Sequence, residues 1–156
     1  MAARQYAAWL GLQAHPPRTG WAYLAVRIVV YTVAFAFMVL IYSTKERGLV
    51  IAPPVALLGA AATWYLLGDT PARAGRRVLL SAGVGLLLGE LTWAFGYWTA
   101  PFVVGGAALW FSLHVLSGVV EHSAALNLER RIAIEYVVVA LIGALLIFVY
   151  ARPWSP

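Results

Sequence analysis

The chain alternates between long apolar runs and short polar breaks. Five runs, at about 21–42, 49–67, 78–98, 102–122 and 132–151, each approach the ~20 residues that a helix needs to cross a ~30 Å hydrocarbon core. The pattern predicts an all-α integral membrane helical bundle with five transmembrane helices. The count falls to four if the second run, with Pro53-Pro54 in its first turns, is re-entrant. Proline is tolerated in a first turn, where the N–H groups lack intrahelical partners anyway. Residues 1–20 read separately from the bundle of 21–156. Tyr6, Trp9, Leu10 and Gln13 recur at helical spacing and suit a short interfacial helix or a loose tail, and His15-Pro16-Pro17 ends either. The apolar stretch after Arg4 is too short for a signal peptide, so the first span is expected to stay as an anchor.

Small residues recur on the predicted spans. Gly59 to Ala62, the ridge Ser81, Gly85 and Gly89, and Gly105 to Ala108 all predict close helix contact. Asp69 or Thr70 ahead of Pro71 has the form of an N-cap followed by proline at the first helical position, opening the third span.

Composition supports the membrane reading. The apolar share is 63% against the roughly 45–50% of soluble domains, and charged residues are only 11%. That leaves too little polar surface to cover an aqueous globule. The net charge of +5 is dispersed in short clusters between spans, as in topology-setting loops. A nucleic-acid face would gather it on one surface, so no nucleic-acid partner is expected. Arg4, Arg18, Arg73, Arg76, Arg77, Arg130 and Arg131 share one side of a five-span arrangement, against Lys45, Arg47 and Arg152. That asymmetry places the N-terminus in the cytoplasm and the C-terminus outside, in a bacterial inner membrane. Most of the seven tryptophans and eight tyrosines fall near predicted span ends, where aromatic belts form.

Five polar residues fall inside or at the edges of spans: Arg27, Glu90, His114, Glu121 and Glu135. Arg27 either snorkels to the headgroups or pairs with Glu121 or Glu135, which share its depth. Glu90 is near the middle of its apolar run. A charge there costs roughly 2.5–3.5 kcal/mol on insertion scales, so a neutral acid bonded to a backbone carbonyl, Ser117 or His114 is expected. A proton relay built on Glu90 is the functional alternative. His114 reads as a hydrogen-bonded packing residue, as a cofactor-binding ligand of a tetrapyrrole pigment, or as a catalytic histidine. Trp110, one turn earlier, would obstruct a macrocycle, and His122 is poorly placed as a second axial ligand.

No metal-ligand spacing occurs. Glu121 and His122 are adjacent and point apart on a helix, and cysteine is absent. No nucleophile elbow, phosphate loop or dinucleotide fingerprint is present. No catalytic residue and no enzymatic activity are therefore expected, and no cofactor, with a tetrapyrrole pigment or a lipid as the alternatives.

The second half carries a resemblance. Gly89-Glu90-Leu91-Thr92-Trp93, a short proline turn, a small-residue helix, Leu128-Glu129-Arg130-Arg131, Glu135-Tyr136 and a closing Arg152-Pro153-Trp154 are similar to a bacterial family of small polytopic membrane proteins. That family is of unknown function and has members in Chloroflexi-like bacteria. The resemblance spans about 78–154 and implies no activity. It makes Glu90, Trp93, Arg131 and Glu135 markers of the fold. The function expected is that of an accessory or scaffold subunit. Its partners are the lipid bilayer and the other subunits of a larger membrane complex, such as a photosynthetic or respiratory one. A pigment or haem binder using His114 and a small proton-coupled transporter using Glu90 are the alternatives.

Overall fold

A computed structural model describes residues 20–44, 46–97, 101–124 and 130–151. The expected interfacial helix over 2–13, the tryptophans at 98 and 154 near predicted span ends, and the charges Lys45 and Arg152 lie outside the described residues. The described chain forms five long helices: α1 (Trp21–Ser43), α2 (Gly48–Leu66), α3 (Ala74–Phe95), α4 (Phe102–Ala124) and α5 (Arg130–Ala151). No strand occurs among the described residues. All five helices are long and apolar enough to cross a membrane, so the fold is the expected five-span bundle.

α2 is continuous through Pro53 and Pro54, which rules out the four-span alternative. It continues into a 3-10 turn, Leu67–Asp69. The expected cap at Asp69 or Thr70 does not open α3. Instead Thr70 closes the preceding turn, its N–H and its hydroxyl both donating to the Leu67 carbonyl, at 3.1 and 2.8 Å. α3 begins at Ala74 after an extended Arg73, four residues before its apolar run. The polar–apolar boundary marks the edge of the hydrocarbon, whereas arginine is a good helix former and lets the helix run on past that edge.

Helices α1 to α4 enclose the core. Ala34 and Met38 of α1, Val55 of α2, Val84 and Leu88 of α3, and Leu109 and Leu113 of α4 meet in one cluster. α5 stands outside it, packed chiefly on α4, and none of its described residues is buried. Lipid tails are as apolar as these side chains, so close packing and polar contacts must hold the helices together. Glycine supplies the close packing at each major seam. The α2–α3 seam is the most extensive, and there Ser81, Gly85 and Gly89 are buried, Gly85 against Ala56 and Ala60 and Gly89 against Ala56 and Ala52. Between α1 and α4, Gly105 receives the Tyr42 ring and Gly106 receives Val39. On the outer seam, Gly118 receives Tyr136 and Gly143 receives Phe111.

Gly85 is the tightest of these for the backbone. A methyl group there would fall on the Ala56 carbonyl oxygen and 2.8 Å from Ala60 Cβ, and neither atom is the end of a flexible side chain. Gly83, two residues earlier, has open space where its Cβ would be. Gly85→Ala should therefore destabilise the bundle by about 1–3 kcal/mol in detergent unfolding, as overpacking does. Gly83→Ala should leave stability unchanged or slightly raised.

Candidate functional site

The polar residues gather along the α1–α4 seam. On α1, Tyr23, Arg27 and Tyr31 recur every four residues and share one face. On α4, Trp110, His114, Ser117 and Glu121 recur at spacings of four, three and four. The helices are antiparallel, so the two series meet in order. Arg27 meets Glu121 near the arginine-rich end, Tyr31 meets Ser117 and His114 further in, and Phe35 meets Trp110 beyond them.

Arg27 and Glu121 form a two-point ion pair. Nη1 donates to Oε1 at 2.9 Å and Nη2 to Oε2 at 2.7 Å. Nη1 also donates to the Tyr23 hydroxyl at 2.9 Å, and the guanidinium lies 5.6 Å from the centre of that ring. The side chains are 28% and 20% exposed, so the pair is largely withdrawn from its surroundings. Bidentate geometry is the strong form of this contact. Of the two partners expected for Arg27, the fold selects Glu121. Glu135 is elsewhere, on the exposed face of α5, and accepts from Arg131 Nε at 3.3 Å within its own helix.

Deeper in the seam, Ser117 Oγ donates to the His114 carbonyl at 3.2 Å, so the Tyr31 hydroxyl donates to Ser117 Oγ, 2.9 Å away. Trp110 Nε1 donates to the Tyr31 carbonyl at 3.0 Å. That bond holds the indole across the seam, edge-on to Phe35, with the ring centres 5.8 Å apart. His114 stacks on Trp110 at 6.2 Å between ring centres and meets Tyr31 edge-on at 5.2 Å. Its side chain is exposed to the outside of the bundle and has ring contacts but no hydrogen bond among the described residues. His114 lies ~15 Å of helix from Ala124 and ~18 Å from Phe102, at mid-depth. With Leu24, Arg27, Ile28, Tyr31, Thr32, Phe35 and Trp110 it lines a groove of about 590 Å³ open at the side of the bundle.

Glu90 and His114 do not meet. His114 faces α1, while Glu90 is exposed on α3 and bonded to no described residue. Ser117, its other expected partner, is committed to Tyr31. Nor is Glu90 at the middle of its helix. It stands ~24 Å of rise from Ala74 and ~7.5 Å from Phe95, just inside the exposed aromatic pair Trp93 and Tyr97.

Glu121 and His122 diverge, as adjacent residues on a helix must. His122 turns towards α5, where it meets Tyr136 edge-on at 5.5 Å, and its Nδ1–H donates to the Gly118 carbonyl at 2.9 Å. His114 and His122 therefore cannot clamp one macrocycle between them. Among the described residues, no group of three or more His, Asp and Glu could hold a metal ion.

Two arginines have roles beyond setting topology. Arg77 donates through Nε and Nη2 to the Trp64 carbonyl at 3.0 and 2.7 Å, with its guanidinium 4.3 Å from the centre of the Trp64 ring. Arg76 donates to the Ser123 carbonyl at 3.2 Å. Both act at C-terminal ends of neighbouring helices, where carbonyls lack intrahelical donors and positive charge is favoured. An aromatic–arginine pair flanking a short loop, here Trp64 and Arg77, was the signal that could have pointed to them. At the opposite end the Tyr42 hydroxyl donates to the Phe95 carbonyl at 2.7 Å, tying α1 to the end of α3.

Removing one member of a withdrawn ion pair strands the other. Arg27→Met or Glu121→Leu alone should lower stability by about 3 kcal/mol, at the low end for a buried pair, and the double variant should recover most of that loss. Chemical or thermal unfolding of the three variants in one detergent checks it.

The sequence matches the family described as protein of unknown function DUF5656 over residues 1–150, so the chain belongs to that family. The match begins far ahead of the 78–154 segment that carries the resemblance seen in the sequence, and it ends before the closing Arg152-Pro153-Trp154. No curated protein and no solved structure matches the chain.

Proposed function

We propose that this family member is a non-catalytic accessory subunit that packs within a larger bacterial membrane complex. The observation that carries the reading is Glu90. It is an acid on the outward face of a spanning helix, without a partner among the described residues of its own chain. A carboxylate just inside the aromatic belt still meets lipid on its outward side, and a donor on a neighbouring helix lowers the cost of holding it there. The surface beside it suits such a neighbour. Gly83 leaves open space two turns before Glu90 on the same exposed side, while Leu86, Leu87 and Trp93 supply apolar contact. A small residue next to a polar one is the usual composition of a helix–helix contact in a bilayer. In this reading the arginine-rich ends of the helices face the cytoplasm.

Gentle-detergent purification from native membranes, with mass spectrometry on the same peak, tests the proposal. The wild-type chain should elute in a large assembly with named neighbours. Glu90→Leu should release it as a small species of unchanged helix content, and Glu90→Gln, which keeps hydrogen bonding, should release less. A wild-type chain that elutes alone as a stable monomer would overturn the reading.

A further inference from the structure

We propose that the α1–α4 groove is a binding site for an isoprenoid quinone, with His114 donating a hydrogen bond to a ring carbonyl and Trp110 forming the wall on which the ring lies. The proposal rests on a different face from Glu90, so it stands or falls separately from the accessory-subunit reading.

The first argument is depth. His114 lies ~15 Å of helix from the nearer end of α4, so phospholipid headgroups at the interface are a poor match for it. A ligand that carries its polar atoms into the hydrocarbon is needed. The second is hydrogen bonding. A neutral imidazole has one donor and one acceptor, and here it has only ring contacts among the described residues. An N–H left unmet in hydrocarbon is costly, which favours a ligand with a carbonyl acceptor. The third is shape. The indole of Trp110 is fixed by its bond to the Tyr31 carbonyl and by Phe35, and it forms a flat, rigid aromatic wall. A groove of about 590 Å³ has the size of a small-molecule site. Exposed Leu24 and Ile28 line its lipid-facing part, where an isoprenoid tail would leave.

Charge distinguishes a quinone from an anionic lipid. The guanidinium at the end of the groove is neutralised by the two-point pair with Glu121, so no net positive charge is left to draw a phosphate. Arg27 has five N–H donors and makes three hydrogen bonds among the described residues, to Tyr23 and Glu121, so donors remain for a neutral carbonyl. A tetrapyrrole fits less well, because Trp110 stands one turn from His114 where a macrocycle would lie against the helix, and His122 points to α5.

The test uses the full chain in nanodiscs of quinone-free lipid, labelled with a short-chain azido-quinone and mapped by mass spectrometry. Label is expected within Leu24–Phe35 and Trp110–His114 and should be competed away by decylubiquinone. His114→Leu should weaken decylubiquinone binding roughly five- to tenfold, the worth of one hydrogen bond. His114→Gln keeps a donor and should bind within about threefold of wild type. Ala144→Leu narrows the separate apolar groove between α3, α4 and α5, and should change nothing. Label that decylubiquinone does not displace from the wild-type chain overturns the proposal, whatever the variants do. So does label concentrated in the α3–α4–α5 groove, equal binding by His114→Leu, or a tetrapyrrole absorbance in the native protein that His114→Leu abolishes.

Discussion

Close approach of helix backbones is the constraint on which this bundle depends. In water a helix is driven onto its neighbours by the release of ordered solvent, but in lipid that drive is absent. What remains is dispersion between surfaces that touch, and it falls away with a gap of less than an ångström. Each major seam therefore brings a glycine under a neighbour's bulk: Gly59 under Leu88, Gly105 under Tyr42, Gly143 under Phe111. The α2–α3 pair takes this furthest, and its contact is the most extensive between any two of the described helices. The other helices are arranged around that pair.

The α1–α4 seam is built differently. Its small residues sit at one end, where Gly105 and Gly106 meet Tyr42 and Val39, and its polar residues at the other. From Arg27 to Phe35 the seam is held by directional contacts that fix register as well as distance. An ion pair, a hydroxyl chain and an indole bond all require α1 and α4 to keep one relative translation. A seam of glycine and alanine alone would allow neighbouring registers at similar energy. The order of contacts also leaves His114 at the open margin, since Ser117 and Tyr31 satisfy each other beside it.

Much of the fold was legible because the bilayer imposes a length. A helix that must satisfy its own backbone across the hydrocarbon needs about 20 apolar residues, and five runs of that length gave five spans. The span limits were less legible, because hydropathy records where hydrocarbon begins and not where helical geometry does. Ala74 to Arg77 is helical although it carries two arginines, and Thr70 bonds backwards to Leu67 although its neighbours resemble a cap. The pairing of Arg27 with Glu121 was half legible. Depth admitted two acids, but the choice depends on how α4 and α5 rotate about their axes. Rotation is set by packing, as with Gly118 against Tyr136, and periodicity along a uniformly apolar helix carries almost no record of it. The same blindness made Glu90 and His114 plausible partners. They lie on different helices and on faces that point apart, which no spacing within either helix reveals.

Arg76 and Arg77 join two properties that are usually treated separately. As charges beside a span they bias which side of the membrane the start of α3 occupies. As donors to Trp64 and Ser123 they can act only when the ends of α2 and α4 lie on that same side. A copy of α3 threaded the wrong way would misplace both cations and leave two carbonyl termini bare. Insertion and tertiary assembly thus depend on one pair of side chains, and an orientation error also forfeits two contacts at helix ends.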